Sequence, residues 1–286
     1  MDYIFFTGAT GGLGALCVQA LAERGYTVFA AGTNQARLER LGRLQNVIPV
    51  RADVTDEESL LAARRLVGDT TDRLYAVINF AGVAGGCSWL EGGSIAAAQR
   101  LLNINVLGMI RVNRLFFDLV LAGRGRIINC SSEAGWMKPQ PFIGPYFMSK
   151  HAVEAYSDSL RREAMFLGVP VIKLQPGAYH TGLMDDVGND MANLAADSRY
   201  FRQVFACVKP ILDSQISNFG DPKDLVAALL RAVEDHQPRL RYRVGTGKLL
   251  ALAELLPDSW LDALYRGYVR RRTRRLGEND TACPRD

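Results

Sequence analysis

The sequence predicts an α/β fold: a doubly wound parallel sheet of about seven strands, helices on both faces, and a helical extension at the C-terminal end. Three observations predict it. Short apolar runs alternate with helix-period stretches almost to the end of the chain. Those runs are apolar on both faces, as strands covered from either side must be. A glycine-rich turn, Thr7-Gly8-Ala9-Thr10-Gly11-Gly12-Leu13-Gly14, joins the first apolar run to the first helical stretch.

The elements follow in order. Tyr3–Thr7 is the first strand, rich in aromatic residues, and the helix Leu13–Arg24 leaves the glycine turn. Thr27–Ala31 and Val47–Arg51 are the next strands, and Glu57–Val67 is the helix after them. Leu74–Asn79 leads to the helical stretch Ile95–Leu121, in which Asn103 and Asn105 sit badly and predict a local break or a bound water. Arg126–Cys130 leads to the helix Pro145–Leu167, whose proline suits a first helical turn. Val169–Gln175, the helix Pro222–Glu234 and the strand Arg241–Val244 complete the alternation. Residues 1–245 then form one unit, with 177–220 as a lid over the ligand side, and 246–286 form a helical extension with a basic tail.

Composition narrows the class. Of 286 residues 48% are hydrophobic, ample for a buried core, and no apolar run approaches the ~18 residues of a membrane-spanning helix. Met1-Asp2-Tyr3 carries no basic stretch ahead of its apolar run, so no signal peptide is expected. The five cysteines (Cys17, Cys87, Cys130, Cys207, Cys283) are odd in number and lack metal-ligand spacing, which fits free thiols in a reducing, cytoplasmic setting. A net charge of +4 traces mostly to the C-terminal arginines and calls for no nucleic acid.

The glycine turn is a socket for a pyrophosphate. Glycine lets the main chain approach a ligand closely, and the helix beyond offers free N–H groups and a positive dipole end. A carboxylate after the second strand would bind a ribose 2′-hydroxyl and repel a 2′-phosphate. Here that strand ends Ala30-Ala31-Gly32-Thr33-Asn34 with no acid, and Arg37 stands close by. NADP(H) is therefore favoured, with NAD(H) as the alternative; Thr33 and Asn34 supply hydrogen bonds, and the plain reading of Arg37 is a solvated helix residue. Asp53-Val54 and Asn79-Phe80-Ala81-Gly82 fall at carboxyl ends of strands, where ligands bind in open sheets. Asp53 or Thr55 could equally cap the following helix.

Tyr146 and Lys150, four apart, share one helix face. A free phenol titrates near pH ~10, and a neighbouring ammonium favours the phenolate, as a general acid/base near neutrality requires. A lone Tyr-x-x-x-Lys is weak, but Ser131-Ser132 end the strand just before it and could polarise a carbonyl oxygen. Pro176-Gly177-Ala178-Tyr179-His180-Thr181 offers a turn and a hydroxyl after the sixth strand.

Together these motifs resemble the short-chain dehydrogenase/reductase family in its compact, single-domain, Rossmann-type form, over nearly all of residues 3–245. The resemblance implies hydride transfer between a nicotinamide and an alcohol or ketone. It assigns Gly8, Gly12 and Gly14, with Thr10 and Leu13 between them, to the cofactor turn. Asp53 and Val54 become the adenine contact, Asn79, Ala81 and Gly82 a sheet-stabilising turn, and Pro176, Gly177 and Thr181 the nicotinamide side. The family tetrad maps onto Asn105, Ser132, Tyr146 and Lys150: Tyr146 exchanges the proton, Ser132 polarises the oxygen, Lys150 binds ribose and tunes Tyr146, and Asn105 holds a relay water. Asp53-Val54-Thr55-Asp56 with Ser59, and Val153 to Glu163, are similar to the retinol and 17β-hydroxysteroid dehydrogenase branch, which implies an apolar alcohol or ketone.

Two departures stand out. Ser132 is fourteen residues before Tyr146 rather than twelve or thirteen, which leaves Ser131 as second candidate and puts Glu133 at the thirteenth position. The acid after the second strand is missing. Leu183, Met184, Met191, Leu194, Tyr200, Phe201, Phe205, Val208, Ile211 and Leu212 have the helical spacing of a lid that lines an apolar pocket, or simply of core. Trp260, Leu261, Leu264, Tyr265 and Tyr268, ahead of the arginine run 270–275, read first as a docked helix and second as a membrane-surface contact. The resembling family commonly dimerises through the two long helices, so a homodimer or homotetramer is expected. The competing function is a catalytically silent nucleotide sensor or scaffold of the same fold, although binding alone needs no tunable phenol.

Overall fold

The computed structural model describes residues 2–91, 94–208, 219–247, 251–252 and 254–275. Seven strands form one parallel sheet: β1 Tyr3–Thr7, β2 Thr27–Gly32, β3 Val47–Arg51, β4 Ala76–Asn79, β5 Arg126–Cys130, β6 Val171–Pro176 and β7 Arg241–Val244. Their order is β3-β2-β1-β4-β5-β6-β7, so the winding reverses between β1 and β4. The expected strands are all present: β1, β3, β5 and β7 have the expected bounds, and β2, β4 and β6 have ends shifted by one or two residues.

Helices cover both faces: α1 Gly12–Glu23, α2 Gln35–Leu41, α3 Glu57–Thr70, α4 Ser94–Leu101, α5 Met109–Ala122, α6 Gly144–Ala164, α7 Gly182–Asp197, α8 Pro222–Glu234 and α9 Asp258–Arg275. The seven-residue α2, with Leu38 and Leu41 buried, is too short for periodicity to mark, and the Asn34 side chain caps it. The expected continuous helix over Ile95–Leu121 is divided: a π-helical stretch, Leu102–Gly108, separates α4 from α5 and contains Asn105. The cap of α3 is Asp56, whose carboxylate accepts from the Glu58 and Ser59 N–H groups, rather than Asp53 or Thr55. Asp53 instead folds onto its own turn, accepting from the backbone and hydroxyl of Thr55 at 2.8 and 2.7 Å.

One core lies between the sheet and α1/α8 and includes Ile4, Phe6, Val18, Leu21, Leu225 and Leu229. The other lies between the sheet and α3/α5/α6, where Phe5 stacks on Phe116 at 4.0 Å between ring centres. Both sets alternate along the strands, so each strand is buried from both sides, as its continuous apolar run requires. Between the strands and α5/α6, Asn79, Asn113 and Asn129 form a buried polar knot. It is closed by Ser157 and Tyr156 from α6. Buried amide networks of this kind fix the registration of helix on sheet, although Asn79 Oδ1 is left without a partner among the described residues.

A third apolar cluster joins Ala84, Cys87, Val187, Met191, Leu194, Phe205 and Val208 to Val269 of α9. The C-terminal helix is thus docked on the lid region. Ile211, Leu212, the stretch 209–218 and the tail 276–286 with Cys283 lie outside the described residues, as do the side chains of Leu183 and Met184.

Candidate active site

A cavity of about 740 Å³ opens at the carboxyl ends of the strands, at the winding reversal, where ligands bind in sheets of this type. Gly8, Thr10, Gly11, Gly12, Leu13 and Gly14 form its floor. Gly8 has φ +74°, and a Cβ there would stand 2.5 Å from the Ala81 nitrogen, so only glycine permits the close approach of β1 to β4. At Gly14 a Cβ would stand 2.2 Å from the Gly8 carbonyl oxygen. A Cβ at Gly12 would meet nothing within 4 Å, so the floor at the α1 N-terminus is open to a ligand. This combination of a tight glycine turn and open space over a helix start fits a dinucleotide pyrophosphate.

Along the wall from β2 lie Thr33, Asn34 and Arg37, and from β3 Asp53 and Val54. The Arg37 guanidinium reaches back to the Thr10 carbonyl at 2.8 Å, which holds it at the cavity rim although the residue is exposed. Ala81, Gly82, Pro176, Gly177 and Thr181 line the cavity as expected.

The Pro145 turn starts α6 so that Tyr146 and Lys150 both face the cavity. The Lys150 ammonium lies 5.7 Å from the centre of the Tyr146 ring and donates to the Cys130 carbonyl at 3.3 Å. Ser131 and Ser132 end β5 beside them and line the same wall. Ser132 Oγ accepts from the Ala134 N–H at 3.2 Å and keeps its own hydrogen to donate. Ser131 Oγ is buried against Gly135, where a Cβ would stand 2.5 Å away.

Two predicted residues fall behind the wall. Asn79 is committed to the buried knot, donating to Asn113 and Asn129, and takes no part in the cavity lining. The sheet-stabilising role fits it, and direct cofactor contact does not. Asn105 accepts from the Val83 N–H at 2.8 Å and donates to the Val83 carbonyl and Ser149 Oγ. Its Nδ2 is thereby used up, which leaves one lone pair on Oδ1 for a relay water. Asn105 Oδ1 and Lys150 Nζ stand 3.4 and 3.7 Å from a Cβ built on Gly82, so the glycine leaves the space between them clear.

Several lining residues escaped sequence reasoning. Met137, Ile143, Phe147 and Val187 make one wall apolar, and Gln140 and Tyr179 add polar points. Only their closeness to the serine loop and to the Pro176-Gly177 turn could have marked them. Glu133 also lines the cavity; burial pushes its carboxyl up, and the Thr246 hydroxyl pulls it part of the way back. Burial pushes the Tyr179 phenol up to about 12.

A model of the short chain dehydrogenase family matches residues 2–192. The chain belongs to that family. The dehydrogenase is 38% identical over 285 residues to rat (Rattus norvegicus) retinol dehydrogenase 16, covering 92% of this chain and 87% of that one. It is 31% identical to human (Homo sapiens) 17-beta-hydroxysteroid dehydrogenase type 6, covering 93% and 87%. Two solved dehydrogenases share its fold at a TM-score of 0.70: one from Burkholderia cenocepacia J2315 in complex with NADP (24% identity; 92% of this chain, 97% of that one), and one from Burkholderia phymatum in complex with NAD (23%; 100% and 98%). Family and relatives make this chain an NAD(P)-dependent dehydrogenase acting on CH–OH groups.

Proposed function

We propose that the dehydrogenase interconverts an apolar secondary alcohol and its ketone, or an alcohol and its aldehyde, of steroid-, retinoid- or acyl-ketone-like character, with NADP(H) as its favoured cofactor. What carries this reading is the Tyr146–Lys150 pair on one face of α6, with Ser132 beside it, in a cavity with an apolar wall. Bound, the nicotinamide supplies or accepts the hydride. Tyr146 gives its proton to the carbonyl oxygen in reduction and takes it back in oxidation. Ser132 donates to that oxygen as charge develops on it. Lys150 holds the ribose and stabilises the phenolate, while Asn105 keeps the Val83 backbone fixed and offers Oδ1 to a relay water.

Arg37 at the rim, with no carboxylate after β2, supports a 2′-phosphate and hence NADP(H). The apolar wall and the relatives at 31 and 38% identity support a lipophilic substrate. The exposed Leu107, Leu121 and Met148 along the π-helical stretch, α5 and α6 support a homodimer or homotetramer formed through these helices, and the free thiols support a cytoplasmic setting. Among the described residues no helix is long and apolar enough to cross a membrane.

The test is a titration with NADPH and NADH followed by nicotinamide fluorescence, then a panel of apolar ketones followed by loss of cofactor absorbance. Tight NADPH binding with ketone-dependent oxidation is expected. Tight binding without turnover of any ketone would move the protein to the silent-sensor reading, and binding of neither cofactor would overturn both.

A further inference from the structure

Glu133 lines the cavity, follows Ser132 in the chain, and makes no ion pair among the described residues. Its surroundings are specific. A Cβ on Gly177 would stand 2.5 Å from the Gly245 carbonyl oxygen and 3.1 Å from Glu133 Oε2, so the carboxyl rests on the place where the end of β6 meets the end of β7. The Tyr179 hydroxyl stands at the same junction, 3.0 Å from a Cβ built on Gly245. Tyr179 is 3% exposed and lines the cavity, yet its hydroxyl is buried and has no hydrogen-bond partner among the described residues. The Thr246 hydroxyl is buried beside the Glu133 carboxyl, which it lowers as a donor without closing a well-formed hydrogen bond.

A carboxyl with only a loose donor in Thr246, and the partnerless Tyr179 hydroxyl, share a cavity also lined by Met137, Ile143 and Val187 and call for a polar occupant. A water supplies one where the ligand is short. A substrate that reaches this far replaces that water only if it brings hydrogen-bonding capacity of its own. A bare carboxyl repels an anion and offers an acceptor, with a donor when protonated, to a hydroxyl. Burial raises the Glu133 carboxyl, which moves it towards that two-way bonding.

We propose that Glu133, with the Tyr179 and Thr246 hydroxyls, forms a specificity subsite that takes a second, neutral hydroxyl of the substrate, remote from the reacting carbon. The favoured substrates are then apolar hydroxy-ketones and their diols, and carboxylate-bearing ketones are excluded. The inference rests on the dehydrogenase reading for its substrate class.

Medium-chain 2-alkanones and their ω-hydroxy counterparts test it, with the full chain and the variants Glu133→Leu and Glu133→Gln. Discrimination is read as the ratio of kcat/KM within each pair, and by calorimetry on the NADP-loaded protein as the ratio of Kd. The native protein is expected to favour the hydroxylated member by about tenfold. Glu133→Leu should bring the ratio to near one, and Glu133→Gln, which keeps a donor and an acceptor, should retain most of it. NADPH fluorescence titration of each variant shows that the fold survives. A ratio near one in the native protein, or one unchanged by Glu133→Leu, overturns the subsite. A tenfold Kd ratio with no turnover of any ketone would instead sink the dehydrogenase chemistry and leave the subsite standing.

Discussion

At the scale of single residues, the proposed chemistry depends on a phenol whose proton can leave. Tyr146→Phe removes that proton and little else, because the ring still packs with Ile143 and Phe147. Turnover should fall about 10²–10⁴-fold while NADPH affinity in a fluorescence titration stays near native. Lys150→Ala should lower both, as the proposed double service of its ammonium to cofactor and phenol requires. Ser132→Ala should cost far more turnover than Ser131→Ala, because Ser132 Oγ keeps a hydrogen to donate at the cavity wall whereas Ser131 Oγ packs on Gly135. Equal losses would move the role to the loop as a whole. Spacing alone was enough to pair Tyr146 with Lys150, since a helix brings such positions onto one face. The roles of Asn79 and Asn105 were less legible. Sequence marks them as amides near strand and helix ends, but which way each amide turns depends on partners 34 and 22 positions away, at Asn113 and Val83.

At the scale of elements, the strands were legible because burial from both faces leaves a continuous apolar run, and the π-helical stretch was legible only as a conflict of asparagine with helix. Between the serines and Tyr146 the chain runs through the short turn Glu133–Gly135 and the loop after it. That loop is held from outside the catalytic unit: the Lys138 backbone N–H donates to Glu254 at 2.9 Å, and its ammonium pairs with Asp258 at 2.8 Å. No local pattern could have announced partners over a hundred positions away. The attachment of α6 to β6 is likewise non-local, resting on Lys173, 3% exposed, between Glu154 and Asp158 at 2.8 Å each. Desolvation pushes the Asp158 carboxyl up, but the hydrogen bond and charge of Lys173 outweigh it and leave it below its ordinary value. Its share of stability is therefore complete above the unfolded value of ~3.9 and is lost as pH falls through the lower folded value. Lys173→Met should cost about 3–5 kcal/mol in urea unfolding near neutrality, because two carboxylates lose their buried cation. The deficit should shrink below about pH 4 as Asp158 takes up its proton. A deficit that is constant with pH would mean that packing of the lysine stem, rather than its charge, holds α6 to the sheet.

At the scale of the whole molecule, the winding reversal between β1 and β4 puts the glycine floor, the β2 rim and the α6 wall around one crevice. No part of that crevice survives unfolding, so a ligand that bridges it binds only the folded chain and stabilises all of it. At 100 times its Kd, a cofactor adds about 2.7 kcal/mol. For a chain of this size that raises the Tm by about 4–5 °C. The rim decides which cofactor does so at the lower concentration. Arg37 is exposed and held toward the cavity by the Thr10 carbonyl, and the Asn34 side chain caps α2 by accepting from the Arg37 backbone N–H rather than from its guanidinium. Arg37→Ala therefore leaves the α2 cap in place and removes only a cation from the rim. NADPH should raise the Tm of the native protein more than NADH at equal concentration, and Arg37→Ala should erase that difference by lowering the NADPH shift alone. A larger NADH shift in the native protein would mean that Thr33 and Asn34 bind a ribose hydroxyl without any acid and that the arginine is a solvated helix residue. A loss of both shifts in Arg37→Ala would instead show that the guanidinium supports the glycine turn through Thr10 rather than reading the 2′ position.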